Sequence, residues 1–282
     1  MTMLPPPLPT HLDQRRPDAA ARVATEYLDI VTRAIVEHPR SQQTQIGPSE
    51  IGDPCSRRIG YKLLNTAEKD QAPNWKATIG TGTHMWLETA FDADNTKINT
   101  SMPLGQERWL IETRVNVGTI DGLGDITGSC DLYDRWTGTV IDHKTVGPTQ
   151  LTKYRKNGPG QQYRTQAHLY GRGWQRAGLP VDHVMIAFLP RNGELADAYM
   201  WSEPYDEQVA VDGLNRLAGI HLATTALGTA ALGHLPTVEA YCSFCPFFRP
   251  GSTDLAAGCP GDDTVIDQMA TNQHQQLAGL VG

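Results

Sequence analysis

The sequence lacks a long apolar run, and it has few cysteines and few aromatic residues for its length. Its 282 residues include five cysteines, and Phe, Trp and Tyr together make up 7%. The N-terminal stretch is broken by prolines and has no apolar core of the kind found in signal peptides. No stretch reaches the ~20 apolar residues of a membrane-spanning helix. We therefore expect a cytoplasmic protein without membrane contact, whose reduced thiols favour metal binding over disulfides.

An excess of positive charge is also absent. The chain has 24 Lys and Arg residues against 31 Asp and Glu residues, and a net charge of −7. Proteins that bind nucleic acid over a broad surface are usually basic, so any such contact must be local. No GxxxxGK[ST] phosphate loop or helicase motif occurs, which argues against a nucleotide-driven motor.

One basic segment stands out in this acidic chain. Between residues 144 and 176 no Asp or Glu occurs, and "TKYRKNGPGQQYRTQ" places cations among tyrosines and glutamines across a Gly/Pro loop. An ordinary solvated loop is the alternative interpretation. We predict a track for DNA phosphates, formed by Lys153, Arg155, Lys156 and Arg164.

Hydrophobic periodicity predicts an α/β fold with a mixed sheet. Helices are expected at 18–38, 54–64, 74–94, 160–177 and 206–232, and strands at 108–117, 125–134, 138–145, 183–190 and 196–202. We divide the chain into a flexible arm (1–17), an N-terminal helical region (18–74), a core (75–235) and a cysteine-bearing C-terminal segment and tail (236–282).

The hairpin "GSCDLYDRWTGTVIDHKT" carries three polar residues in an apolar setting. Asp142 and Lys144 are two residues apart on one strand and therefore share a face. Asp131 lies on the partner strand, where a tight turn brings it close to Asp142. Two adjacent carboxylates favour a hard divalent cation such as Mg²⁺ or Mn²⁺ between them. A surface ion pair is the simpler alternative for an isolated D-x-K.

Four motifs in order extend this hairpin: G-x-x-x-H (80–84), G-x-x-D (128–131), D-x-K (142–144) and Q-x-x-x-Y (166–170). Together they resemble the RecB-like branch of the PD-(D/E)XK nucleases, which implies a restriction-endonuclease-like core with a mixed sheet flanked by helices. The resemblance implies a metal held by His84, Asp131, Asp142 and the backbone carbonyl of His143. Lys144 is then the catalytic lysine, and Gln166 and Tyr170 place the DNA strand. Taken singly, His84 could be a hydrogen-bonded core histidine, and the stripe on helix 160–177 could simply pack on the sheet.

The cysteines are split between the two ends of the chain. Cys242 and Cys245 form a C-x-x-C, a strong signature of soft-metal binding, and Cys259 follows. Cys55 lies far upstream, while Cys130 is expected to pack inside the hairpin. One N-terminal cysteine with a C-terminal group of three resembles the iron–sulfur exonucleases of the RecB-like group, including the CRISPR-associated exonuclease and the AddB nuclease domain. This implies a [4Fe-4S] cluster in a C-terminal iron–sulfur tail, although spacing alone leaves zinc open.

The sequence thus predicts a metal-dependent DNA exonuclease, phage-encoded or prokaryotic, that acts on single strands or duplex ends in recombination, repair or processing. Recombination or CRISPR-type proteins are expected partners. A non-catalytic DNA-end-binding or assembly subunit with the same fold is the main alternative. A zinc-stapled binding module with an accidental acidic hairpin is a third.

Overall fold

A computed structural model describes residues 19–38, 45–69, 73–99, 107–238 and 242–261. The predicted flexible arm (1–17) and residues 262–282 of the predicted C-terminal segment and tail lie outside these ranges. The chain divides into a small unit, residues 1–43 and 72–75, and a large unit, residues 44–71 and 76–282. Helix α1 (Ala19–Val36) is the described element of the small unit.

The large unit contains a five-stranded mixed sheet in the order β1-β2-β3-β4-β5. Its strands are β1 (Trp109–Ile120), β2 (Gly124–Asp134), β3 (Thr139–Val146), β4 (His183–Pro190) and β5 (Tyr199–Pro204). Neighbouring strands are antiparallel except for β3 and β4, which run parallel. A parallel pair needs a long crossover, and helices between β3 and β4 supply it. The predicted α/β fold with a mixed sheet is confirmed.

Six further α-helices accompany the sheet in the described ranges. They are α2 (Pro48–Ile51), α3 (Ser56–Leu63), α4 (Trp75–Asn99), α5 (Pro148–Asn157), α6 (Gly160–Arg176) and α7 (Glu207–Leu227). Helix α5 replaces the first part of the predicted Gly/Pro loop. It begins with Pro148, which suits a first helical position, and ends at Gly158, whose φ of +74° favours glycine.

Helix α6 packs closely on one face of the sheet. Trp174 stacks on Tyr133 with ring centroids 4.7 Å apart, and Gly173 lies so close to β1 that an added Cβ would be 2.5 Å from Val115 Cγ2. Phe91 of α4 lies against the other face, where its ring stacks on His143. The strands therefore carry helices on both faces. Among the described residues, no helix is long and apolar enough to span a membrane.

Candidate active site and cysteine-lined cavity

Strands β2 and β3 part where the two predicted aspartates lie. Their antiparallel register runs to the pair Leu132 and Ile141, and one further step would pair Asp131 with Asp142. Instead, Oδ2 of Asp131 accepts a hydrogen bond of 2.7 Å from the backbone N–H of His143. The carboxylate thus satisfies a buried backbone donor at the end of the ladder, which fixes Asp131 beside β3.

Asp142 is the most deeply buried acid of this region, with 2% of its surface exposed. Its Oδ1 accepts a hydrogen bond of 2.8 Å from Nε2 of Gln166 on α6. Its Oδ2 lies 2.5 Å from Nζ of Lys144, so the two side chains share a face as strand alternation predicts. The ammonium of Lys144 also lies over the Tyr163 ring, 5.0 Å from its centroid.

His84 reaches this site from α4. Its Nε2 lies 3.1 Å from the carbonyl oxygen of His143, and its Nδ1 lies 3.5 Å from Oδ1 of Asp131. The ligand atoms of His84, Asp131 and the His143 side chain all lie within 4.8 Å of one another. His84 is therefore hydrogen-bonded, and it also belongs to a group of side chains that can hold a metal.

Glu112 on β1 is a member of the site that the sequence motifs do not indicate. Its Oε1 lies 3.7 Å from Nδ1 of His84, on the nitrogen that also faces Asp131. The backbone of Glu112 has a φ of +42°, a left-handed conformation that is uncommon for a residue other than glycine and often accompanies functional sites. An acidic residue directly after the apolar run "WLI" in the strand "RWLIETRVNV" is the signal that could have drawn attention to it.

Burial and neighbouring charges shift the pKa values of three side chains in this site. Burial alone would lower the pKa of His84, but the nearby carboxylates of Asp131 and Glu112 raise it to about 10. Burial raises the pKa of Asp142 to about 6; Asp131 adds to this rise, and Lys144 opposes it. Although burial also opposes ionisation of Asp131, the adjacent His84 ring holds the pKa of this carboxyl below its usual value.

The chemistry of the donor set fits a hard divalent cation. Carboxylate and carbonyl oxygens suit Mg²⁺ or Mn²⁺, and imidazole is a common additional ligand. An imidazole must be neutral to bind a metal. A cation held by His84 and Asp131, two members of the converging group, would therefore take the place of the imidazolium proton beside these carboxylates.

The helix α6 residues predicted to place DNA lie beneath the surface. Gln166 and Tyr170 are each 5% exposed. Tyr170 packs against the glycine of the G-x-x-D motif, since a Cβ at Gly128 would lie 3.1 Å from the tyrosine hydroxyl oxygen and 2.8 Å from Pro48 Cδ. Gln166 therefore contacts the site through Asp142, and Tyr170 packs in the core beneath it.

The residues of the predicted phosphate track differ in their exposure and in the contacts that they make. Lys153 and Lys156 are exposed on α5. Arg155 is exposed too, but it donates a hydrogen bond to the backbone carbonyl of Asp197. Arg164 forms an ion pair of 2.5 Å with Glu203. Helix α5 thus presents two lysines and one arginine on its surface.

The four cysteines assigned to one metal site come together in the large unit. Cys55, Cys242, Cys245 and Cys259 line a single cavity together with Arg58 and Tyr61. Burial raises the pKa of Cys245, as do the nearby thiols of Cys55 and Cys259, while Arg58 opposes the rise. Cys130 is fully buried in the hairpin, as expected. Cysteines from the two ends of the large unit therefore line one cavity.

Contacts between α3 and the C-terminal segment hold this cavity together. The Tyr61 ring stacks on Phe247 at 5.1 Å, and its hydroxyl donates a hydrogen bond of 2.8 Å to the Leu255 carbonyl. The guanidinium of Arg57 lies 3.9 Å from the Cys259 sulfur. Packing and hydrogen bonds thus hold α3, which follows Cys55, against the segment that carries the C-terminal cysteines.

The solved structures that resemble this chain include the following three, each with a low sequence identity and a TM-score below 0.5. The crystal structure of SSO0001 is 18% identical with a TM-score of 0.46, and the match covers 80% of this chain and 94% of that one. An alkaline exonuclease, LHK-Exo from Laribacter hongkongensis, is 12% identical with a TM-score of 0.42, covering 66% and 91%. A phage-related exonuclease from Haemophilus somnus 129PT is 12% identical with a TM-score of 0.34, covering 63% and 91%.

No family model matches the chain, and neither does a curated protein. At these identities and TM-scores, the three structures carry no argument about what the chain does. The functional interpretation depends on the site itself, in which a histidine, three carboxylates and a lysine from four separate segments converge.

Proposed function

We propose that the protein is a metal-dependent deoxyribonuclease that hydrolyses DNA phosphodiester bonds as an exonuclease. The observation that supports this most strongly is the convergence of His84, Asp131, Asp142 and Lys144 at the place where β2 and β3 part. Two buried acids beside a lysine and a histidine match the needs of phosphodiester hydrolysis, which are a metal-binding pocket and a cation near the phosphate.

His84, Asp131, Asp142 and the His143 carbonyl would hold the cation, Mg²⁺ or Mn²⁺. When bound, the cation lowers the pKa of a coordinated water and offsets charge on the scissile phosphate. Asp131 is held in place by the His143 N–H. Gln166 holds one oxygen of Asp142, so the other is directed toward Lys144.

Lys144 supplies the mobile positive charge of the site. Its ammonium contacts Asp142 and lies over the Tyr163 ring. When a phosphate enters, the ammonium is close enough to the metal-binding acid to stabilise the negative charge that develops on the phosphate oxygens. Its four-carbon stem allows this shift without movement of β3.

We further propose that Cys55, Cys242, Cys245 and Cys259 hold a [4Fe-4S] cluster. The support is their shared cavity, which includes the cation Arg58, since four thiolates and a cluster carry net negative charge. When bound, such a cluster would link α3 to the C-terminal segment, and its binding free energy would add to folding free energy.

One preparation tests both proposals. The protein would be purified without oxygen, its iron and zinc quantified, its visible absorbance recorded, and its digestion of end-labelled DNA measured with Mn²⁺ and with EDTA. We expect about four iron atoms per chain and cleavage that EDTA abolishes. Stoichiometric zinc with negligible iron would show that the four cysteines hold zinc and not a cluster. Tight DNA binding without cleavage under any divalent cation would instead identify an end-binding subunit.

A further inference from the structure

The loop before Cys55 is organised by one buried acid, Asp53. Its Oδ1 accepts a hydrogen bond of 2.9 Å from the backbone N–H of Cys55. Its Oδ2 lies 3.2 Å from Nη1 of Arg58. Asp53 itself is 6% exposed. Because Cys55 and Arg58 both line the cysteine cavity, one carboxylate contacts a candidate metal ligand and the neighbouring cation.

The backbone around Asp53 is fixed independently of Cys55. Arg216 of α7 donates from both terminal nitrogens to the Asp53 carbonyl oxygen, one of them at 2.8 Å. On the other side, Gly52 packs on α6 so closely that a Cβ would lie 2.6 Å from the Gln162 carbonyl oxygen. Two core helices therefore determine where Asp53 lies, and Asp53 in turn determines where the Cys55 N–H points.

A role in helix capping alone does not account for a carboxylate here. Cys55 is the N-cap residue of α3, and the turn that precedes it needs only a side-chain acceptor, which Asn or Ser supplies equally well. A buried carboxylate is costly unless a cation pairs with it. The cation here is Arg58, whose guanidinium borders the cavity, where positive charge favours ionised thiols.

We propose that Asp53 is a positioning residue of the cysteine site. It orients Cys55 toward the cavity and holds Arg58 beside the thiolates, while contacts from α6 and α7 keep it in place. This inference rests on the proposed function, since it requires that the cavity hold a metal or cluster. It assigns no role to Asp53 in DNA cleavage.

Three substitutions separate the two contacts of Asp53. Asp53→Ala removes both the acceptor for Cys55 and the partner of Arg58. Asp53→Asn and Asp53→Ser keep an acceptor for the Cys55 N–H and remove the charge. Asp212→Asn, at an exposed acid of α7, serves as the matched control. Each protein is purified without oxygen, and its circular dichroism, iron, zinc, sulfide and visible absorbance are compared with those of Cys55→Ala. The rate at which a chelator removes the metal is also measured.

We expect Asp53→Ala to keep its helical signal but to retain roughly half or less of the wild-type metal, because partners behind a ligand typically change metal affinity about 10- to 100-fold. Asp53→Asn and Asp53→Ser should bind near the wild-type amount and lose it faster to the chelator. Should Asp53→Ala not fold, faster loss from the Asn and Ser variants decides the question. Wild-type metal content and release rate in all three would overturn the inference and leave the cysteine site standing. A wild-type protein without any metal would overturn both.

Discussion

Nε2 of Gln166 donates a hydrogen bond of 2.8 Å to Oδ1 of Asp142, and both side chains are almost fully buried. This contact joins α6 to β3 across the core. Since Lys144 occupies the other oxygen of Asp142, the amide decides which way the carboxylate plane faces. Gln166 thus controls the geometry of an acid that we assign to metal binding, without itself reaching the surface.

The first prediction follows from this contact. Gln166→Ala should lower the apparent affinity for Mn²⁺ or the cleavage rate about 10- to 100-fold, as is typical for a partner that orients a metal-binding side chain. Gln166→Glu should be worse, because a second carboxylate would face Asp142. Titration of cleavage rate against Mn²⁺ concentration measures both variants. Equal Mn²⁺ dependence and rate in the wild type and Gln166→Ala would show that the hydrogen bond has no role in the site.

The second prediction concerns the acid and the lysine themselves. Asp142→Asn and Lys144→Ala should each reduce cleavage by about a hundredfold or more, since each removes charge from the reacting centre. DNA binding should persist, because the exposed cations of α5 remain. End-labelled DNA digestion and a binding assay at the same salt separate the two effects. The exposed Lys69 offers a control, Lys69→Ala. Near-normal turnover of either active-site variant would remove the site assignment.

Local rules predict part of this site. Alternation along β3 places Asp142 and Lys144 on one face, and the short turn after β2 places Asp131 opposite. Such rules do not predict that Glu112 belongs to the site, because its positive φ and its approach to His84 depend on how β1 and α4 pack. Strand separation at Asp131 likewise depends on a side chain replacing a backbone acceptor.

Helix α5 shows where the composition of a segment misleads. Its charge and the nearby Gly-Pro favour a loop, yet Pro148 begins the helix and Gly158 ends it, and both are recognised helix boundary signals. Tyr170 and Trp174 are buried, but the sequence does not predict this, since aromatic residues at helical spacing suit both a core and a DNA-binding surface. Only the position of α6 on the sheet distinguishes these possibilities.

The third prediction tests α5 as the phosphate track. DNA affinity should fall steeply with salt despite the net negative charge of the protein, because released counterions set the slope. Replacing Lys153, Arg155 and Lys156 together by Gln should reduce the slope of log affinity against log salt by about 2 to 3 if each contacts one phosphate. Lys69→Gln removes one exposed charge elsewhere and should leave the slope unchanged. An unaltered slope in the triple variant would locate DNA binding on another surface.

The fourth prediction concerns a buried histidine that joins α6 to β5 and α7. His168 Nε2 lies 2.6 Å from Oε1 of Glu203, and its Nδ1 accepts a hydrogen bond of 3.1 Å from the Asp206 N–H. These contacts define a neutral ring that donates from Nε2. Burial lowers the pKa of His168; Glu203 opposes this, and Arg164 adds to it.

Because the folded-state pKa of His168 is depressed, the unfolded chain takes up this proton first as the pH falls through its ordinary value near 6.5. This histidine therefore destabilises the fold as pH decreases, by at most about 1.4 kcal/mol per pH unit. We expect the stability of His168→Gln, measured by urea unfolding at pH 7.5 and pH 5.5, to fall less over this interval than that of the wild type. An equal or larger fall in the variant would contradict the assignment of a neutral, buried ring.

The last prediction concerns the two ends of the large unit. Cys55 precedes α3 and the other three proposed ligands, Cys242, Cys245 and Cys259, follow α7, so a shared cluster would close a loop around the whole sheet. Closing so long a loop constrains the unfolded chain, and metal binding adds to folding free energy. Cys55→Ala should therefore lower iron content and thermal stability about as much as Cys245→Ala, although Tyr61 still anchors α3 to the C-terminal segment.

Cys130→Ala is the matched control, because Cys130 is buried in β2 and its sulfur lies 3.5 Å from the Leu132 carbonyl oxygen. This variant should keep all its iron and lose only about 1 kcal/mol of stability, the cost of a small cavity. Iron content and thermal unfolding of the three variants, prepared without oxygen, decide the matter. Full iron in Cys55→Ala would show that the N-terminal cysteine is not a ligand. Loss of iron in Cys130→Ala would show that the cluster depends on Cys130 in the hairpin.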